Sequence, residues 1–386
     1  MKQGLALCGG GSLGAYEMGV WAYLREKGFR FDVITGTSIG AINGAMIAAD
    51  GYEVAKKMWD SVTVEDIMKN GINFDKELIG EIDLKKGSKW KTFVNGYIKN
   101  KGANTEPLEK MLQEYIPPLR VNHLKKPKLG IIKCTFPGMK EIKVLVNKLK
   151  DDEVVEELIC SASCWPVFPV RHNKKGSFVD GGWRNNLPID YCLELGAEQV
   201  IAVMLNSLPV AQKQELFDLP NVTLIRPSLP EGSFLSFKQN AIQMNMLLGY
   251  MDAKKRFGEY RGIRSFLKED AFFRKTTRAF YKNFVQKDPI GYAKTVEKKK
   301  KDIVIQGVKE DESLLYLLLM EDVMEECEIP FLEERTLKDT LALIKKALPN
   351  LKGKKGFSAF LREAYKGSPK KVNEKHLPYL RFIESL

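Results

Sequence analysis

The stretch ITGTSIGAING, residues 34–44, places Ser38 between Gly36 and Gly40 directly behind an apolar run. A strand that runs into G-x-S-x-G and then into a helix of small residues has few ways to fold. The serine must take a strained turn with its hydroxyl above the sheet. Side chains at 36 or 40 would collide with the neighbouring strand and helix. The peptide N–H that follows, that of Ile39, falls at a helix N-terminus, where developing negative charge is stabilised. A tight strand-to-helix turn with an incidental serine has the same spacing, so this motif alone leaves a steric and a chemical reading open.

A second glycine cluster lies upstream. In GGGSLG, Gly9, Gly11 and Gly14 fit G-x-G-x-x-G between the apolar strand candidate GLALC and the helix candidate AYEMGVWAYLREK. That is the pattern of a dinucleotide-binding turn, which also wants an acidic residue at the end of the second strand. Here the second strand, FDVITG, carries Asp32 at its start and ends in Gly36, with the serine next. Dinucleotide binding is therefore disfavoured. The same loop has another use, because the N–H groups of Gly10 and Gly11, free of Cβ, can crowd against a tetrahedral oxyanion at a helix start.

An activated serine needs a base. The chain has three histidines, His123 and His172 in lysine-rich polar stretches and His376 in the C-terminal segment, and all three read as surface residues. Asp180 is a different case. It ends an apolar strand in SFVDGGWRNNLP, in a turn opened by Gly181 and Gly182, and could accept the serine proton directly. Asp-Gly-Gly is also a common turn device.

These motifs sit in an alternation of short apolar strands (LGIIKCTF, IKVLV, SFVDG, QVIAVML, VTLIRP) with helical segments such as EVVEELICSASC and PIDYCLELG. Alternation of this kind predicts a largely parallel sheet covered on both faces. Residues 235–260 read as one amphipathic helix closing that domain, and beyond it the periodicity is helical. With 386 residues, 44% of them hydrophobic and 28% charged, the composition argues against wholesale disorder and against a fibrous fold. No apolar stretch suits a signal peptide or a membrane span. The six cysteines show no zinc spacing and no disulfide framework, so buried reduced thiols and a cytoplasmic location are expected. The net charge of +12 fits either a solvated lysine-rich surface or an anionic partner, and no nucleic-acid motif is present.

Taken together and in order, GGGSLGAYEMGV, GTSIGAING, SASCWPVFPV and FVDGGWRNNLPIDYCLELGAEQVIAV resemble the patatin-like phospholipase family, over about residues 3–262. The resemblance implies a three-layer α/β sandwich with a mostly parallel central sheet, here followed by a mainly helical extension. It implies a lipid acyl hydrolase working through a Ser-Asp dyad with no histidine, metal or cofactor. Residue by residue it implies Ser38 as nucleophile, Asp180 as base, and Gly9, Gly10 and Gly11 around the oxyanion hole, to which Ile39 adds its N–H. Fatty-acyl esters of phospholipids or lysophospholipids are the expected substrates.

One position departs from the family, Leu13, where an Arg or Lys is usual. That puts the loop geometry or the headgroup preference in question, and a non-catalytic lipid-binding or scaffolding protein with the same fold is the alternative. The expected division is 1–265 for the hydrolase domain and 266–386 for the extension. An apolar channel to the serine is expected along CWPVFPV and the 235–260 helix, at Phe237, Ile242, Met246 and Leu247. Peripheral contact with an anionic membrane surface would join the basic charge to a lipid substrate.

Overall fold

The computed structural model describes residues 1–69, 103–206, 213–304, 311–352, 356–367 and 372–386. The chain folds as two compact units, Met1–Ala253 and Lys254–Leu386.

The first unit is built on an eight-stranded sheet in the order β5-β6-β3-β2-β1-β7-β8, with β4 paired to β3. Its strands are β1 (Gln3–Leu7), β2 (Val33–Thr37), β3 (Lys128–Thr135), β4 (Glu141–Leu145), β5 (Arg171–Asn173), β6 (Gly176–Asp180), β7 (Gln199–Val203) and β8 (Val222–Ile225). The pairs β1–β2, β1–β7, β2–β3 and β7–β8 are parallel. The pairs β3–β4, β3–β6 and β5–β6 are antiparallel. The centre of the sheet is parallel, as the alternation of strands and helices predicts, and one side is antiparallel.

Helices cover both faces. They are α1 (Ala15–Glu26), α2 (Ile39–Ala48), α3 (Tyr52–Ser61), α4 (Glu106–Tyr115), α5 (Asp151–Ala162), α6 (Ile189–Glu194) and α7 (Gln239–Arg256), which runs to the end of the unit and beyond it. Every residue of β2 (Val-Ile-Thr-Gly-Thr) is buried, so the strand carries no charged residue on either face. On one face Thr35 and Thr37 donate their hydroxyls to the Pro188 and Asn185 carbonyls at 2.9 and 2.7 Å, so these buried polar groups are satisfied. On the other face lies α2, whose run of Ile39, Gly40, Ala41 and Gly44 keeps the helix close to β1 and β2. Gly28, at φ 76°, ends α1 in the left-handed region.

The second unit holds β9 (Phe266–Lys268), α8 (Ala271–Lys287), α9 (Pro289–Val304), α10 (Leu314–Glu326), β10 (Glu334–Thr336), α11 (Leu337–Ala347), α12 (Phe357–Tyr365) and α13 (Leu377–Glu384). Its core gathers Phe280, Phe284, Tyr316 and Phe382, and the Tyr316 ring meets Phe280 and Phe382 edge-on at 5.2 and 5.1 Å. Glu321, 1% exposed, accepts the backbone N–H groups of Ile263, Arg264 and Ser265. This is a fold-holding use of a buried carboxylate.

Candidate active site

Ser38 sits between β2 and α2 at φ 56° and ψ −124°, a conformation that costs a non-glycine residue on the order of 1–3 kcal/mol. The glycines at either side make the turn sterically feasible. A Cβ on Gly36 would lie 2.2 Å from the Gly40 carbonyl oxygen, and one on Gly40 would lie 2.7 Å from that of Leu7. The strained peptide is tied down from the far side. Its N–H donates to Ser161 Oγ at 3.0 Å, and the Ser161 hydroxyl donates to the Ile132 carbonyl at 2.6 Å, with Ser161 fully buried.

Asp180 closes β6 and is 5% exposed. Its carboxylate accepts the Gly182 N–H at 2.7 Å, and the Ser38 side chain lies near enough to favour its ionised form. Burial pushes its pKa up from 3.8 to about 6, and these two groups limit the rise. The group is thus mostly ionised at neutral pH and still basic enough to take a proton.

The glycine loop packs against both residues. Gly9 exchanges hydrogen bonds with Asn186, its N–H reaching the Asn186 carbonyl at 3.0 Å while the Asn186 amide donates back to the Gly9 carbonyl at 3.0 Å. A Cβ on Gly9 would come within 2.4 Å of Asn186 Oδ1 and 3.1 Å of Ser38 Cβ, so Gly9 serves close approach and its N–H is already engaged. Ser12 anchors the far end, its N–H donating to the Phe234 carbonyl at 2.8 Å. Between these anchors the N–H groups of Gly10 and Gly11 donate to no acceptor among the described residues, and the same holds for Ile39 at the first position of α2. Leu13, at the departure from the family pattern, is 1% exposed in a single 3₁₀ turn. The usual cation is replaced by core packing.

Ser38, Ile39, Gly9, Gly10, Gly11 and Asp180 all line one cavity of about 300 Å³. Its remaining wall is apolar, with Ile42, Met58, Trp59, Leu108, Val167 and Phe237 among the residues. The expected contribution of CWPVFPV is present from Cys164 to Phe168. The long helix contributes less than expected, because α7 begins only at Gln239. Phe237 lines the cavity just ahead of it, whereas Ile242 is packed in the core and Leu247 is exposed. No histidine lines this cavity. His123 pairs with Asp151 at 2.5 Å, His172 bonds Ser177 Oγ at 2.8 Å, and His376 stacks on Phe360 in the second unit.

A family model described as patatin-like phospholipase matches residues 5–193, a span that holds both glycine motifs, Ser38 and Asp180. Residues 5–193 are a patatin-like phospholipase domain. A 59-residue stretch, 14% of the chain, is 53% identical to a lysophospholipase, nte1, of Aspergillus terreus, and it spans 4% of the length of that relative. Among solved structures, VipD from Legionella pneumophila aligns with 100% of the chain and 91% of its own at 12% identity and a TM-score of 0.43. ExoU of Pseudomonas aeruginosa, in complex with SpcU, aligns with 99% of the chain and 76% of its own at 14% identity and a TM-score of 0.37.

Within the patatin-like domain, sequence reasoning missed the residues that hold the site in place. Asn186 stands in the quoted RNNLP, yet nothing in the pattern says that its amide reaches back to Gly9. Ser161 sits in SASC as a small polar residue on the buried face of α5, and that is the only local sign of its bond to the Ser38 peptide.

Proposed function

We propose that the protein is a lipid acyl hydrolase that cleaves fatty-acyl esters of phospholipids or lysophospholipids through Ser38 and Asp180. The observation that carries this reading is a strained serine that lines, together with a buried aspartate, one apolar cavity large enough for an acyl chain. In the acylation step Asp180 takes the Ser38 proton as Oγ attacks the ester carbonyl carbon. The oxyanion that forms is met by the N–H groups of Gly10, Gly11 and Ile39. Collapse breaks the bond to the alcohol, which leaves with the proton held by Asp180. Water then attacks the acyl-enzyme, Asp180 takes its proton, and the fatty acid departs as Ser38 recovers its hydrogen. All bond changes balance without a cofactor or a histidine.

The reading assigns catalysis to residues 1–265 and leaves 266–386 as a helical extension of unassigned role. Substrate reaches the site from a lipid surface: Trp183, 40% exposed, lines the cavity beside the exposed Arg184, and the chain is basic overall. The decisive test is labelling with a fluorophosphonate probe together with hydrolysis of an ester panel from short-chain esters to lysophospholipids and phospholipids. Labelling that vanishes in Ser38→Ala, with hydrolysis extending to long-chain lipids, is the expected result. A wild-type protein that neither labels nor hydrolyses would leave the lipid-binding alternative in its place.

A further inference from the structure

The proposed oxyanion site is assembled from two separate pieces of chain. Gly10 and Gly11 belong to the turn before α1, and Ser38 and Ile39 belong to the start of α2. Donors from different segments act together only if their separation is held to tenths of an ångström, since a misplacement of about 1 Å can cost roughly 10²-fold in rate.

A pair of buried polar side chains spans the two pieces. Glu17 on α1 is 1% exposed and Asn43 on α2 is 0% exposed. The Asn43 amide donates to the Gly14 carbonyl at 3.0 Å and to Glu17 Oε2 at 2.9 Å. The other Glu17 oxygen accepts the Cys8 N–H at 2.8 Å. Asn43 Oδ1 in turn accepts the Trp59 indole N–H at 3.0 Å, and Trp59 lines the cavity. Gly14, at the exit of the glycine loop, is therefore fastened directly to Asn43 on the helix that begins beside the serine, and Cys8, at its entry, is fastened to Asn43 through Glu17.

This arrangement is an expensive way to fill a core. Among the described residues no cation lies within hydrogen-bond reach of the buried Glu17, and burial raises its pKa well above the usual carboxylate range despite the two donors. Apolar side chains of similar volume would serve packing as well or better. What a fully satisfied polar pair adds is a single fixed geometry. We propose that Glu17 and Asn43 are positioning residues that hold the Gly10 and Gly11 N–H donors in register with Ile39 and Ser38, an inference that rests on the hydrolase reading above.

The test uses the full chain and two variants, Asn43→Leu, which removes every bond that Asn43 makes, and Glu17→Gln. Gln keeps the volume and the Cys8 bond but turns a second donor toward the Asn43 amide. Rates on a soluble short-chain ester are measured below each variant's melting temperature, with amide hydrogen exchange followed across residues 8–14. The expected result is a kcat lower by about 10- to 100-fold with KM within about threefold, because the loss falls on the transition state. Exchange in 8–14 should rise while that of β7 stays unchanged. A purely structural role would lower the melting temperature and leave kcat intact, and folded variants with wild-type kcat and wild-type exchange would overturn the proposal. A wild type that neither hydrolyses nor labels would instead overturn the hydrolase reading. The brace is then judged by exchange alone, and unchanged exchange in Glu17→Gln overturns it.

Discussion

Ser38 and Asp180 are brought together by a single strand, β3. Thr37, the last residue of β2, stands opposite Ile132, and Asp180, the last residue of β6, stands opposite Lys133, the next residue along β3. The parallel partner ends where the antiparallel one arrives, so the turn that carries the serine and the strand end that carries the carboxylate leave the sheet side by side. Ile132 fixes the elbow a second time, since its carbonyl accepts the Ser161 hydroxyl that in turn accepts the Ser38 N–H.

The first prediction separates base from scaffold. Asp180→Asn keeps the volume and can still accept the Gly182 N–H, but it cannot take a proton at neutral pH. Ester hydrolysis should fall by a factor on the order of 10² to 10⁴. Ser38→Ala should abolish turnover and fluorophosphonate labelling together, while substitutions of His123, His172 or His376 should leave the rate within a small factor. Rate measurements on folded variants check this, and an Asp180→Asn protein with wild-type turnover would assign the proton to another group.

The pH dependence follows from the raised pKa of Asp180. The base works only when ionised, so kcat/KM should climb as pH rises through about 6 and level off above it. Stability runs the other way. A carboxyl whose folded pKa lies above its unfolded value binds its proton more tightly in the native state, so its contribution is full below about 4 and is lost as pH rises through about 6. Asp180→Asn escapes that loss and should melt at or above the wild-type temperature at pH 8. Melting curves at pH 5 and pH 8 decide the point: a variant less stable than wild type at pH 8 would mean that burial does not penalise this carboxylate.

The elements that were legible in the sequence are those whose reasons are local. Gly36 and Gly40 announce the turn because no other residue fits between strand and helix there, and Val33 and Ile34 mark the strand that leads into it. The residues alone offer Asp180 as one candidate base beside a plain turn reading, and only the likeness to a family chooses between them, because the approach to Ser38 depends on the register of β3 against two strands of opposite direction. The same holds for Asn186, Ser161, Glu17 and Asn43, whose hydrogen bonds join residues far apart in the chain. The 235–260 segment shows a different limit. Its apolar spacing suits a helix from the first residue, but the chain keeps 235–238 outside the helix, and that places Phe237 on the cavity wall while Ile242 packs inside.

Acyl-chain accommodation can be tested by filling the cavity. Met111 lines it and is half-buried, so Met111→Trp would extend an indole into space that a long chain needs, without overpacking a closed core. Activity on long-chain lysophospholipid should drop by roughly tenfold or more relative to a short-chain ester, one buried methylene being worth about 0.8 kcal/mol. The ratio of kcat/KM values for the two substrates in variant and wild type is the measurement. An unchanged ratio would show that the acyl chain does not pass Met111.

The elbow itself gives the last prediction, because its steric requirement is stated in distances. A methyl group on Gly36 would lie 2.2 Å from the Gly40 carbonyl oxygen and 2.7 Å from the Ala41 nitrogen, both backbone atoms in the first turn of α2. A flexible side chain could swing aside, but this backbone cannot move without shifting Ser38. Gly36→Ala should therefore destabilise the protein by about 2 kcal/mol or more, in the upper part of the range for overpacking a close contact. If the turn yields to relieve the clash, the Ser38 hydroxyl moves off the Asp180 carboxylate, so the folded fraction should also label slowly with the fluorophosphonate probe. Denaturant titration and labelling rate, read on the same preparation, separate the two effects. An alanine variant with wild-type midpoint and wild-type labelling would mean that α2 has room to retreat, and the steric account of the G-x-S-x-G turn would have to be given up.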